Sequence, residues 1–174
     1  VALFKLIHKI FIHKHIPEML TRFNVILLYK KGTESDPNSY RPIALASNIY
    51  KIITRIITNK LTNYVETNKI LSDTQEGFRR NKDTGRSSRY FQLAKEDAVR
   101  QKKQLIVAYI DFSDAFTSIN HRCLFKTLRR LNIPEDAIQI IKSLYQNASL
   151  KVSGNWGSTD DIEINRGTIQ GDSL

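Results

Sequence analysis

The sequence predicts an α+β fold. Three observations carry that prediction. Ile49, Ile52, Ile53, Ile56, Ile57, Leu61, Tyr64 and Val65 recur at helical spacing and predict a long amphipathic helix over about 47–66. Leu105 to Ile110 is short, continuous and apolar, the pattern of a strand buried on both faces. Elements of both kinds then follow one another without regular β-α-β alternation, which separates α+β from a doubly wound parallel sheet.

The elements follow in order. Leu3, Phe4, Leu6, Ile7, Ile10 and Phe11 predict a helix over 3–14, ended by Pro17. FNVILLY (23–29) is β-branched and apolar and predicts a strand; KKGTESDPNS (30–39) predicts a polar loop. Ser47 is placed to cap the long helix. A third helix is expected over 84–102, with Tyr90, Leu93, Ala94 and Ala98 inward and Lys102 and Lys103 at its cationic end. After the 105–110 strand, Asn120 caps a helix over 121–131, and Pro134 with Glu135 and Asp136 opens another to about 146. ASLKVS and IEINR flank the turn-forming GNWGSTDD and predict a hairpin.

Composition narrows the function. The 174 residues are 41% hydrophobic and 25% charged, a globular balance. The net charge is +10, and it is unevenly spread: residues 1–100 hold 18 Lys/Arg against 9 Asp/Glu, and 101–174 hold 9 against 8. A basic surplus of that size suits a polyanion, nucleic acid first and an anionic membrane or acidic partner second. The single Cys123 makes no internal disulfide, and no run of roughly 18 apolar residues spans a bilayer. The basic, His-interrupted N-terminus is a poor signal peptide, so secretion is not expected. It lacks a start Met and suggests a piece of a longer chain. His8, His13 and His15 lack a fourth ligand at zinc spacing, and Trp156 fits either a hydrophobic plug or a nucleic-acid contact.

The chemically loaded stretch is YIDFSDAF, 109–116. A buried strand ending in Asp111 would hold a carboxylate at a sheet edge, where it needs a cation or a set of N–H donors. Two readings fit. Asp111 binds Mg²⁺, which takes one or two carboxylates plus substrate phosphates, or it caps a turn through backbone N–H groups.

YIDFSDAF with the following INH resembles the first palm motif of reverse transcriptases of non-long-terminal-repeat retrotransposons. The segment from Ile16 to Leu61, with its paired Lys and Tyr-Arg-Pro-Ile, is similar to the finger region of that family. LSDTQEGFRRNKDT resembles its Gln-x-Gly-Phe-Arg segment, and INRGTIQGDSL its Gly-x-x-Gln-Gly motif. Four motifs in order cover about 16–174, and the ordered set is far more specific than any one of them.

The resemblance implies a right-hand polymerase, with 1–103 mostly fingers and 104–174 the start of the palm. Helices would pack on a partial, mostly antiparallel sheet, truncated before the family's Asp-Asp hairpin and thumb. It implies RNA template, DNA primer and deoxynucleotides as partners, two Mg²⁺ ions in the complete enzyme, and nuclear or cytoplasmic residence. It casts Asp111 as the catalytic, metal-binding carboxylate, with the Phe112 carbonyl as a second ligand. Lys30, Lys31, Arg41, Phe112, Asp114, Ala115, Phe116 and Gln170 would meet the nucleotide, Phe116 excluding a 2′-hydroxyl. Gln75, Gly77, Phe78, Arg79 and Gly171 would meet nucleic acid, with Arg80, Lys82, Arg86 and Arg89 extending a cationic run beside Phe78 and Tyr90.

Two departures stand out. Thr117 replaces the Asp usual after Ala-Phe, and Leu20 stands where the family often has Trp. One metal-binding carboxylate does not hold two ions, so the isolated chain is expected to extend no primer. An unpaired palm sheet edge is expected to make it poorly soluble. The alternative is a non-catalytic nucleic-acid-binding module derived from such an enzyme. Asp111 is expected to emerge from mid-sheet into a cleft facing Lys30–Arg41.

Overall fold

In the computed structural model, the described residues are 2–154, 156–169, 171 and 174. They form two compact units, residues 1–58 with 114–174 and residues 59–113.

The first unit is built on a mixed five-stranded sheet. Helix α1 (Ala2–His13) leads to strand β1 (Arg22–Tyr29), which pairs antiparallel with β2 (Tyr40–Leu45). β1 also pairs parallel with β3 (Ser149–Gly154), from Arg22 opposite Ser149 to Val25 opposite Val152. β4 (Gly157–Ser158) and β5 (Ile162–Glu163) take different ends of the free edge of β3, both antiparallel. The hairpin expected over 148–166 therefore forms. The parallel β1–β3 pairing was not anticipated: it joins segments more than a hundred residues apart, beyond any local pattern.

Helix α2 (Asn48–Thr67) starts where Ser47 Oγ accepts the Tyr50 N–H at 3.2 Å, the expected cap. Its buried stripe is Tyr50, Ile53, Thr54 and Ile57, spaced i, i+3, i+4, i+7. Ile52, expected in the stripe, is 40% exposed, because the helix turns Tyr50 and Thr54 inward instead. Tyr50 meets Phe23 of β1 edge to face, ring centroids 4.9 Å apart. α4 (His121–Arg130) begins on Asn120, whose side chain accepts the Cys123 N–H at 3.2 Å. α5 (Glu135–Tyr145) follows Pro134 and buries Ile138, Ile140, Ile141, Leu144 and Tyr145. The Ile16 N–H donates to Ser143 Oγ at 2.8 Å, and Lys14 pairs with Asp136, so the chain after α1 is fastened to α5.

β1 leaves the core halfway along. Phe23 and Val25 are buried, whereas Ile26 to Tyr29 are all substantially exposed. The outer half of the β1–β2 ladder thus projects as a two-stranded hairpin carrying loop 30–39. That loop is internally bonded: Lys30 N–H donates to Ser39 O at 2.8 Å, Tyr29 OH to Gly32 O at 2.7 Å, and Tyr40 OH to Glu34 O at 2.9 Å.

The second unit holds residues 59–67 of α2, loop 68–83, helix α3 (Thr84–Arg100) and residues 101–113. Asp83 caps α3 by accepting the Arg86 N–H at 3.0 Å. Two expectations fail here. No residue of α3 is buried; Tyr90 and Leu93, expected inward, are 63% and 61% exposed. Ala94 is exposed as well, and Ala98 is half-buried. Residues 104–112 form no strand, and Ile106, Tyr109, Ile110 and Phe112 are each more than three-quarters exposed. A strand exists only where a neighbour takes its backbone N–H and C=O groups. Among the described residues no strand pairs with this segment. Asp111 is therefore an exposed residue on irregular backbone, not the end of a buried strand.

Candidate functional site

The first unit brings three of the predicted segments together. The turn after Asp111 begins at Asp114, whose φ of 52° is left-handed and whose carbonyl accepts the Ser118 N–H at 2.9 Å. Among the described residues, no hydrogen bond uses the N–H of Asp114 or Ala115. A short turn with unspent N–H groups is a place for an anion. Phe116 is half exposed, and its carbonyl accepts the Thr168 N–H at 2.9 Å.

That last bond belongs to a seam. Gly167 N–H donates to Ile119 O at 2.7 Å, and Gly167 O lies 2.8 Å from His121 Nε2. Gly167 has φ 83°, and a Cβ there would fall 2.8 Å from both Thr117 Cα and Thr117 O. Only glycine fits, for conformation and for space. Ile169 is buried. Gly171, at φ 105°, lies against β2, where a Cβ would stand 3.0 Å from Ala44 O. The Gly-x-x-Gln-Gly segment thus runs from the 116–121 turn to the strand that carries Arg41. Gln170 itself lies outside the described residues.

Lys30, Lys31 and Arg41 are exposed on the projecting hairpin, Arg41 opposite Leu28. Among the described residues no ion pair engages any of the three. Their charge is available to an external anion.

The second unit treats its cations differently. The Arg79 guanidinium grips Glu66 through Nε to Oε1 at 2.9 Å and Nη2 to Oε2 at 2.6 Å, and Nη1 donates to Ser72 O at 2.8 Å. Its side chain is 8% exposed. The hydrogen bond from Arg79 lowers the Glu66 pKa, and the same bond raises that of Arg79. Lys82 donates to Asp73 O, and both Lys82 and Arg86 stand 4.0 Å from the buried Glu76. Of the predicted cationic run, Arg80 and Arg89 are exposed, while Arg79 and Lys82 are largely spent on the loop's own structure. Phe78 is 94% exposed at φ 60°; Gln75 is exposed, its Nε2 donating to Gly77 O at 3.2 Å. Sequence reading missed Glu66 and His121 as partners. Glu66 sits 13 residues before Arg79 and His121 46 residues before Gly167, so neither leaves a local signal.

Asp111 and Phe112 are exposed and adjacent, and among the described residues Asp111 makes no ion pair. No group of three His, Cys, Asp or Glu among those residues is placed to hold a metal ion.

Comparison with known proteins settles the family. The profile for reverse transcriptase (RNA-dependent DNA polymerase) matches residues 28–174. The chain belongs to this family. It is 29% identical over 161 residues to the Pol polyprotein of the type-1 retrotransposable element R2 of Popillia japonica, covering 92% of this chain and 22% of that protein. It is 27% identical over 161 residues to the RNA-directed DNA polymerase from mobile element jockey of Drosophila melanogaster, covering 92% and 18%. It is 30% identical over 131 residues to the probable RNA-directed DNA polymerase from transposon BS of the same fly, covering 74% and 14%. The chain therefore spans between 14% and 22% of these relatives. The reverse transcriptase domain and its non-long-terminal-repeat kinship stand as read from the motifs, and the mixed sheet with flanking helices is consistent with α+β.

Proposed function

We propose that this reverse transcriptase chain supplies most of the fingers (largely 1–103) and the early palm (104–174) to an RNA-directed DNA polymerase that extends a DNA primer on an RNA template. The observation that carries the reading is the seam in the first unit, where the Gly167–Gly171 segment joins the Asp114–Phe116 turn to the Arg41 strand. Family members place those three segments around an incoming deoxynucleotide.

Each residue then has a task. Arg41 and one of Lys30 and Lys31 hold the triphosphate, Arg with its planar fork and Lys as a point charge. The N–H groups of Asp114 and Ala115 take phosphate oxygens. Phe116 closes the sugar pocket, and Gln170 borders the template–nucleotide pair. Gln75, Gly77 and the exposed Phe78 meet the template, Phe78 by stacking. Arg79 shapes that loop through Glu66 rather than touching phosphate.

The donor chemistry of Asp111 and the Phe112 carbonyl fits part of a Mg²⁺ shell, which prefers hard oxygen ligands. Divalent ions, when bound, neutralise charge on the transferring phosphoryl group. Asp111 supplies one of the carboxylates that hold them, and further carboxylates are required.

The test is primer extension on primed RNA with the complete reading frame that encodes this chain. Asp111→Asn is expected to reduce incorporation to background and leave primed-template binding unchanged. Arg41→Ala is expected to raise the deoxynucleotide KM roughly tenfold. The isolated 174 residues should not extend. Full activity in the Asp111 variant refutes the assignment. Thr117 in place of the family's Asp favours the second reading, a binding module; salt-dependent template binding with no incorporation by the wild-type frame would select it.

A further inference from the structure

We infer that His121 is a positioning residue for the 167–171 segment, acting through Gly167 and touching no substrate. The inference rests on the polymerase reading for what the segment faces, but not for how the segment is held.

A carbonyl oxygen only accepts, so the 2.8 Å contact to Gly167 O requires a proton on His121 Nε2. The ring is braced by its neighbours. His121 opens α4 directly after its Asn120 cap. Its ring packs on Tyr145 at 4.6 Å, and Tyr145 is the buried last residue of α5. One helical turn on, Phe125 flanks it at 6.4 Å. The donor is thus fixed to the core of the first unit.

What it holds has little other freedom. Gly167 is buried, its N–H is spent on Ile119, and the space a Cβ would take is filled by the Thr117 backbone. Thr168 is tied to Phe116, Ile169 is buried, and Gly171 rests on Ile43–Ala44 of β2. Among the described residues, the Gly167 carbonyl is the point where this segment is bonded to a side chain rather than to backbone. Without a donor there, a buried carbonyl is left unpaired, which favours a shift of the peptide. A shift at Gly167 passes along a short, doubly anchored segment to Gly171 and to the Phe116 carbonyl. Both border the proposed nucleotide site.

The experiment uses His121→Phe, which keeps a ring against Tyr145 but loses the donor, and His121→Gln, which keeps an N–H near the same point. Amide exchange is followed in the full chain at Gly167 and Thr168, with Ile141 and Leu144 of α5 as the folding control. Exchange at Gly167 and Thr168 is expected to rise about tenfold in the Phe variant and to return near wild type in the Gln variant, with α5 unchanged. No change in the Phe variant overturns the inference. So does an equal rise in α5, which would mean that the ring only packs.

In the complete reading frame, the Phe variant is expected to raise the deoxynucleotide KM several-fold, about as far as one hydrogen bond allows, with primed-template affinity unchanged. A loosened segment with an unchanged KM refutes the positioning role. If the wild-type frame incorporates nothing while the exchange result holds, the polymerase reading fails and the pinning of the segment stands.

Discussion

The two compact units handle apolar sequence in opposite ways. In the first, FNVILLY enters a sheet, and Phe23 and Val25 are almost completely buried. In the second, LIVAYI is at least as apolar, yet it forms no strand and its side chains stand in solvent. Composition does not distinguish them; pairing does. β1 has partners on both edges, whereas 104–110 has none among the described residues. Burial follows from hydrogen-bonded neighbours as much as from hydrophobicity.

Amide exchange offers the largest measurable contrast. The amides of Ile141 and Leu144 in α5 should be protected by roughly a thousandfold or more relative to those of Ile106 to Ile110. Protection of 106–110 in the isolated chain would mean that the segment has found a strand partner, and the contrast between units would collapse. Concentration dependence of that protection would identify the partner as a second copy.

Truncation sharpens the same contrast energetically. Phe23 is 1% exposed and meets Tyr50 edge to face. Phe23→Ala should cost about 3–5 kcal/mol in urea unfolding. Leu93 is 61% exposed on α3, and Leu93→Ala should stay within about 0.5 kcal/mol. A large cost at Leu93 would reveal packing on α3 that its exposure denies.

These contrasts explain what the sequence could and could not say. Helix starts were legible because capping is local: Ser47 and Asn120 each accept an N–H three residues on. The hairpin around GNWGSTDD was legible for the same reason. The α2 stripe was only half legible, since Tyr50 and Thr54 carry polar atoms yet lie inside. The 105–110 strand was misread because its pattern states a requirement for a partner without supplying one. The expectation that Asp111 emerges from mid-sheet failed with it. The family assignment survived because it rested on the order of four motifs, which does not depend on that strand being formed. The Gly167–Gly171 motif was recognisable, but its anchors at Thr117, His121 and β2 were not, because each contact is distant in sequence.

Arg79 gives the finest test of the difference between the units' cations. Among the described residues, Lys30, Lys31 and Arg41 stand exposed with no carboxylate partner, while Arg79 is committed to Glu66. Arg79 holds the Glu66 carboxyl below its ordinary value of 4.5. A carboxyl whose pKa is lowered on folding contributes stability that is fully present above its unfolded value and lost as pH falls through the folded one. The loop from Ser72 to Arg79 should therefore stay closed down to about pH 4.5 and open progressively below it, read as faster exchange at those amides after correction for intrinsic rates. Glu66→Gln should open the loop at neutral pH and remove the part of the acid transition that belongs to this pair. Asp73 and Glu76 are further carboxylates in the same segment, so the decisive quantity is the difference between wild type and Glu66→Gln. Identical acid profiles in the two proteins would mean that the ion pair does not hold the loop, and would return Arg79 to the set of cations free to meet a phosphate.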